Sequence, residues 1–180
     1  VLYEAEIVLQ EKDVVLDVIR QRFGLREVRR DGNQILLNGV PVYLRGTCDH
    51  HYFPLTCTAP MSVEEHRRHF LALKRIGFNW LRCHTWVPPR EYLLAADEVG
   101  MMVQVEPPVG IGVDEWEQIV LACRTHPSVV LFCGGNEAVL DEPKIQFLRQ
   151  FAGIQKQLAP DTLFNPMECL HGVDASELGD

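Results

Sequence analysis

Residues 124–140 read RTHPSVVLFCGGNEAVL, and this stretch decides the fold. The apolar run from Val129 to Cys133 predicts a buried strand, and the two glycines that follow let the backbone turn tightly. Asn136 and Glu137 come directly after that turn. A polar pair behind an apolar strand is typical of an active site at the carboxyl end of a parallel sheet.

Outward from this stretch, short apolar runs alternate with helical patterns. Ser62-Val63-Glu64-Glu65 is a capping box that predicts the start of one helix, and Gly77 predicts its end. Pro88-Pro89, the region near Asp114 and Pro143 predict the starts of three more. The predicted strands between them are the run after Tyr43, Phe78–Cys83, Met101–Val105, Val129–Cys133 and Leu163–Asn165.

Five such strands are compatible with an open doubly wound sheet or with part of an eight-stranded barrel. No G-x-G-x-x-G follows a strand, because Gly110-Ile111-Gly112 lacks the third glycine, so a dinucleotide fold is disfavoured. Polar residues collect instead after successive strands. The sequence therefore predicts an α/β fold that is part of a (β/α)8 TIM barrel, with about five β/α units.

The first 42 residues have a different pattern. Residues 1–28 alternate loosely around a charged EKD turn and predict two strands, and the Asp31-Gly32 and Asn38-Gly39 turns predict a hairpin in residues 29–42. The beginning of the chain resembles the middle of a domain. A targeting segment could therefore precede it, and the compartment stays open.

Composition excludes several classes of function. The chain has 180 residues and a formal net charge of −8, with no basic run, so we expect no nucleic-acid partner. Its apolar runs are shorter than the ~18 residues that span a bilayer, so we expect no membrane insertion. The six cysteines lack zinc-type spacing, and we expect neither a metal nor a cofactor.

Glu137 is the residue with the most evident chemical role. A carboxyl group at the mouth of an apolar barrel is expected to be partly desolvated, which favours its protonated form and suits it to act as a general acid. The residues alone leave open an exposed loop glutamate that caps the next helix.

Five motifs resemble glycoside hydrolase family 2, which includes β-galactosidases, β-glucuronidases and β-mannosidases. They are FGLREV at 23–28, LNGVPVYLRG at 37–46, LKRIGFNWLRCHTW at 73–86, ADEVGMMVQVEPP at 96–108 and HPSVVLFCGGNE at 126–137. The resemblance implies that residues 1–28 end an immunoglobulin-like β-sandwich and that residues 29–180 begin a TIM-barrel catalytic domain.

The resemblance also implies a role for each residue at the end of a strand. Glu137 matches the acid/base catalyst, and Asn136 matches the neighbour that contacts the sugar's 2-hydroxyl. Arg82 matches an arginine that supports the carboxylate nucleophile, although it could instead bind loop carbonyls. Glu106 matches a glutamate of the site wall that forms hydrogen bonds without acting as a catalyst.

Further expected sugar contacts lie in the loops after the first two barrel strands. His84 and His50 are predicted hydroxyl partners, with His51 the alternative to His50. Trp86 either offers an aromatic platform to a sugar face or packs under its loop. Asp49, His50 and His84 could be read as a metal site, but their spacing does not support one.

A retaining glycosidase needs a second carboxylate, and this chain does not supply one convincingly. The resemblance implies a nucleophile after the seventh strand, and Glu168 follows the fifth. We therefore expect a carbohydrate substrate for the parent enzyme, an inactive isolated chain, and self-association through exposed sheet edges. A non-catalytic carbohydrate-binding fragment and a metal-assisted barrel enzyme are the alternatives.

Overall fold

The computed structural model describes residues 1–169, 171–172 and 176–180 and begins with an antiparallel hairpin. Strands β1 (Tyr3–Glu11) and β2 (Val14–Phe23) confirm the two strands predicted for this region. In the described part of the chain they pair only with each other, so the predicted sandwich is not seen. The hairpin leaves many apolar side chains exposed, including Ile7, Leu9, Leu16 and Ile19.

A three-stranded antiparallel meander follows, where the sequence predicted a hairpin. It consists of β3 (Val28–Asp31), β4 (Gln34–Leu37) and β5 (Val40–Val42). Both predicted turns are present, and Gly32, Asn38 and Gly39 have the positive φ angles that such tight turns require. The meander packs against the starts of parallel strands of the central sheet, in an apolar cluster that includes Val28, Ile35, Met102, Val130 and Leu163.

The centre of the molecule is a parallel sheet of five strands. They are β6 (Gly46–Asp49), β7 (Trp80–Cys83), β8 (Met102–Val105), β9 (Val129–Cys133) and β11 (Leu163–Asn165). The short strand β10 (Val139–Leu140) comes between β9 and β11 in the chain but is not part of this sheet. The five strands lie side by side in chain order. A doubly wound sheet reverses its order at a switch point, so this arrangement fits the predicted partial barrel.

Four helices connect the parallel strands, as predicted. They are α1 (Val63–Arg75), α2 (Arg90–Val99), α3 (Val113–Cys123) and α4 (Glu142–Leu158). The hydroxyl of Ser62 accepts a hydrogen bond from the amide of Glu65 at 3.3 Å and caps α1. Gly100 ends α2 with φ 72°, a left-handed conformation that glycine adopts at little cost.

The core lies between the sheet and its helices. Trp116 of α3 stacks on Phe151 of α4 with ring centroids 4.6 Å apart, and its indole N–H donates to the Phe151 carbonyl at 2.9 Å. These contacts fix α3 against α4. Within the described residues, no helix combines the length and apolar character needed to cross a bilayer.

The last described residues lie along the edge of β11. A short strand, β12 (His171–Gly172), pairs in parallel with β10, and a 3-10 turn spans Ser176–Leu178. The amide of Asp180 donates to the carbonyl of Phe164, and its carboxylate accepts from the amide of Phe164. This edge of the sheet is therefore partly covered.

Candidate active site

A buried ion pair forms the floor of the candidate site. Arg82 of β7 is 9% exposed and donates to both carboxylate oxygens of Glu106, at 2.8 and 3.1 Å. Glu106 follows β8 and is fully buried. Burial opposes the charge of Arg82, but the hydrogen bonds to Glu106 raise its pKa overall. Burial raises the pKa of Glu106, and Arg82 opposes that shift.

Arg82 also holds the residue next to Glu137. Its Nη2 atom donates to Oδ1 of Asn136 at 2.5 Å. Asn136 forms a parallel bridge with Glu168: the amide of Glu137 donates to the carbonyl of Glu168, and the amide of Glu168 donates to the carbonyl of Gly135, both at 3.0 Å. The segment after β9 is thus tied to the segment after β11.

The glycines before Asn136 serve a different purpose from the tight turn that the sequence suggested. Neither Gly134 nor Gly135 has a positive φ; the left-handed residue is Glu137, with φ 53°. A Cβ atom on Gly134 would lie 2.5 Å from the carbonyl oxygen of Pro166 and 2.7 Å from Leu148. Gly134 is therefore required by the close approach of the neighbouring backbone.

Glu137 is exposed in this chain. The predicted partial desolvation of its side chain is therefore wrong for the chain as described. Among the described residues its backbone amide is anchored by Glu168, while its carboxylate has no protein hydrogen bond.

The structure places the two histidines of the loop after β6, called the first loop below, in different surroundings. His50 is exposed, and its ring centroid lies 4.6 Å from that of His84. The ring of His51 instead lies 4.7 Å from Trp86, and its Nε2 atom accepts from the amide of Ala59 at 3.2 Å. Of the two, His50 is the one beside the other predicted sugar-contacting histidine.

Trp86 packs under its loop, one of the two readings left open by the sequence. Its Nε1–H donates to the carbonyl of Asp49 at 2.8 Å, and its ring meets Tyr92 edge to face with centroids 5.2 Å apart. The indole is partly buried and holds the loop after β6 against α2.

Several of the possible metal ligands near the site already bind protein groups. The carboxylate of Asp49 accepts from the Tyr92 hydroxyl at 3.0 Å and from the His51 amide at 3.1 Å. A second group, Glu106, Cys133 and Glu168, has potential ligand atoms within 4.8 Å of one another. However, Arg82 binds both oxygens of Glu106. Burial raises the pKa of the Cys133 thiol, which donates to a carbonyl, so neither set favours a metal.

Two polar residues of this site were not among the predicted contacts. Gln104 is 1% exposed in the apolar strand β8, and its side-chain amide donates to Oε1 of Glu168 at 2.8 Å. Asn165 donates to the same oxygen at 2.9 Å. A glutamine in the middle of the apolar run MVQV was the available signal, because a buried polar side chain requires a partner.

Comparisons with known proteins bear on the function. No family model matches the chain. A Formosa agariphila protein assigned as a β-glucuronidase is 31% identical over 148 residues, which is 76% of this chain and 18% of that protein. A β-galactosidase of Thermoanaerobacter pseudethanolicus is 27% identical over 142 residues, 73% of this chain and 19% of that enzyme.

Solved structures give the same result. The β-glucuronidase of Ruminococcus gnavus in complex with D-glucuronic acid is 26% identical, with a TM-score of 0.80. The match covers 91% of this chain and 30% of that one. The predicted resemblance to this group of glycosidases is confirmed. The chain spans less than a third of the length of the relatives that it matches.

Proposed function

We propose that this chain, which resembles β-glucuronidases and a β-galactosidase over most of its length, is part of a glycoside hydrolase that cleaves terminal β-glycosidic bonds with retention. One observation carries the proposal. Glu137 lies at the carboxyl end of β9, beside Asn136, which the buried Arg82 holds in place. Parallel βα barrels place their catalytic groups at this end of the sheet.

In the proposed reaction, Glu137 acts first as an acid and then as a base. It gives its proton to the glycosidic oxygen while a carboxylate nucleophile attacks the anomeric carbon, and the C–O bond to the leaving group breaks. Glu137 then takes a proton from the water that displaces the enzyme's carboxylate. The two carboxyl groups must lie about 5 to 5.5 Å apart.

The nucleophile is proposed to come from a part of the parent enzyme outside this chain. The same missing part is proposed to cover Glu137, which is exposed here, and so to supply the desolvation that a general acid requires. Arg82 can reach a further carboxylate, because its Nη1 atom contacts only the Cys48 sulfur, at 3.9 Å, in the described part of the chain. The isolated chain is therefore inactive in this proposal.

The remaining site residues are proposed to bind a carbohydrate. His84 and His50 present neighbouring rings at the carboxyl ends of β6 and β7 and can bind hydroxyls. Glu106 supports the site through Arg82, and Trp86 supports it by holding the first loop.

The domain assignment is also a proposal. Residues 1–28 would end an immunoglobulin-like sandwich, and residues 29–180 would begin the catalytic barrel. The hairpin supports this division, because Tyr3, Ile7, Ile19 and Phe23 share one of its faces and are all exposed. A two-stranded hairpin is marginally stable alone, so this face requires a covering layer.

The experiment uses the full-length parent enzyme and aryl β-glycosides with leaving groups of different acidity. Glu137→Gln removes the proton donor, so turnover of poor leaving groups should fall by about 10²–10⁴-fold. Turnover of a dinitrophenyl glycoside, whose leaving group needs little protonation, should fall far less. Glu117→Gln, an exposed glutamate of α3, is the control. Unchanged turnover of poor leaving groups in Glu137→Gln would remove Glu137 as the acid.

The exposure of Glu137 favours one second candidate, a carbohydrate-binding fragment without catalysis. Such a protein would use the same polar strand ends without needing a protonated glutamate. Sugar binding that survives Glu137→Gln, in a parent protein with no turnover of any aryl glycoside, would support this candidate and exclude the enzyme.

A further inference from the structure

Glu168, which follows β11, is held through one of its two carboxylate oxygens. The side-chain amides of Gln104 and Asn165 both donate to Oε1, at 2.8 and 2.9 Å. In the described part of the chain, no protein group donates to Oε2. The residue is partly exposed, so this oxygen can accept a hydrogen bond from a ligand.

Asn136 offers the complementary group, a hydrogen-bond donor. The guanidinium of Arg82 carries only donors, so the amide of Asn136 must turn its oxygen toward Nη2. The opposite group, Nδ2, is therefore directed away from Arg82. Within the described residues this NH2 group has no protein acceptor, and Asn136 is partly exposed.

The backbone brings the acceptor and the donor to one place. Asn136 and Glu168 are partners in a parallel bridge that is closed by two hydrogen bonds of 3.0 Å. Paired residues of neighbouring parallel strands project their side chains to the same face. Oε2 of Glu168 and Nδ2 of Asn136 thus belong to neighbouring side chains that are each oriented by other protein groups.

We propose that Glu168 binds a sugar hydroxyl beside Asn136, the residue that the resemblance already matches to a sugar contact. The hydroxyl donates to Oε2 of Glu168, and the same hydroxyl or its neighbour accepts from Nδ2 of Asn136. This inference rests on the proposed function only in taking the ligand to be a sugar. It gives Glu168 a role in binding, separate from the acid/base role of Glu137.

The charge of the floor selects neutral groups at this position. Two carboxylates, those of Glu106 and Glu168, lie near one guanidinium, that of Arg82, and carboxylate oxygens of the two glutamates lie within 4.8 Å of each other. A carboxylate of a ligand placed here would add a third negative charge. The pair should therefore bind hydroxyls and disfavour a uronic acid group at the same point.

The test follows the Asn136 side-chain amide of the ¹⁵N-labelled chain by NMR. The chain is titrated with the methyl β-glycosides of glucose, galactose and mannose, because the configuration of the sugar is open. At least one glycoside should shift the Asn136 NH2 signals along a saturable curve, while the exposed Asn33 stays as a reference. Turnover is not needed, so failure of the glycosidase assay leaves this result unaffected.

The decisive variant is Glu168→Gln. It replaces Oε2 by a donor and keeps one oxygen for Gln104 and Asn165, so the fold should be retained while binding weakens about tenfold or more. Glu117→Gln should bind like the unmodified chain. If Glu168→Gln does not give the NMR spectrum of a folded chain, Glu168→Asp replaces it. Aspartate keeps the negative charge, but its shorter side chain moves the carboxylate oxygen away from the ligand. The proposal is overturned if no glycoside shifts Asn136 more than Asn33, or if folded Glu168 variants bind with unchanged affinity.

Discussion

The two ends of the parallel sheet both hold buried charges, but they use them differently. At the amino end, Arg26 donates to the carbonyls of Pro127, Asp161 and Val129 and pairs with the Asp161 carboxylate. The carboxylate of Asp97, next to this cluster, accepts from the ring of His126 and the amide of Ser128. The charged groups of this end are bound by the protein itself.

The carboxyl end leaves capacity for a ligand. Arg82 pairs with Glu106 and orients Asn136 so that, among the described residues, the NH2 group of Asn136 has no protein acceptor. In the same part of the chain Oε2 of Glu168, which is partly exposed, has no protein donor. Within the described ranges, the amino end also has polar atoms without a hydrogen-bond partner, Oγ of Ser128 and Nε1 of Trp80, yet these atoms are buried. Hydrogen-bonding groups that a ligand can reach, more than buried charge, distinguish the end of the sheet that holds the candidate site.

The largest expected effect comes from breaking the ion pair of the carboxyl end. Glu106→Leu leaves the guanidinium of Arg82 buried without its partner and should cost about 3–5 kcal/mol in the free energy of unfolding. The double variant Arg82→Met/Glu106→Leu should recover most of that loss, because no buried charge remains. Urea unfolding of both variants measures this. A double variant as unstable as the single one would show that the pair stabilises the fold.

The corresponding change at the amino end should be smaller and should leave the candidate site intact. Arg26→Met removes the donors to three backbone carbonyls and should cost roughly 1–3 kcal/mol, with Arg29→Met of β3 as an exposed control. The shift of the Asn136 amide with glycosides should be unchanged. Loss of that response in a folded Arg26→Met chain would contradict the separation of the two ends.

Two of the three buried thiols, one toward each end of the sheet, test whether both ends exclude water. Burial raises the pKa of Cys123 to about 12 from an ordinary value near 9, and burial also raises the pKa of Cys133. Above pH 9 the unfolded chain loses these protons and the folded chain keeps them. Stability should therefore fall with rising pH, by about 1.4 kcal/mol per pH unit for each thiol.

Unfolding free energies between pH 8.5 and pH 10.5 measure this slope. Cys123→Ala and Cys133→Ala should each reduce it by the contribution of one thiol, whereas the exposed Cys57→Ala should not. A slope that persists in full after Cys133→Ala would mean that water reaches the carboxyl end of β9.

The smallest expected effect concerns two helix-capping residues that lie at the carboxyl end of the sheet but outside the candidate site. Ser62 and Asp141 cap the starts of α1 and α4, on the same side of the sheet as the strand ends. Each change to alanine should cost about 1 kcal/mol and lower the melting temperature, because an amide at the helix start loses its acceptor. Thr58→Ala, in the exposed first loop, is the control. Weaker glycoside binding in either cap variant would connect the caps to the site.

The sequence predicted local elements well and the site only in part. Val129–Cys133 and Leu163–Asn165 form strands over the predicted residues, because apolar runs bounded by glycine, proline and polar residues specify short buried strands. The third strand of the meander was not predicted, because Val40-Pro41-Val42 is too short to show the alternation of apolar and polar residues that marks a strand. The role of Gly134 was also misread, because the carbonyl of Pro166 that approaches it lies 32 positions later in the chain.

The sequence by itself determined which polar residues follow the strand ends, because the apolar runs place His84, Glu106, Asn136 and Glu137 there. Tertiary structure decided how their atoms are shared. Arg82 meets Asn136 across 54 positions, and Gln104 meets Glu168 across 64. Each hydrogen bond uses up one particular donor and one acceptor. Which oxygen of Glu168 and which side of the Asn136 amide remain for a ligand is therefore fixed only when the strands pack together.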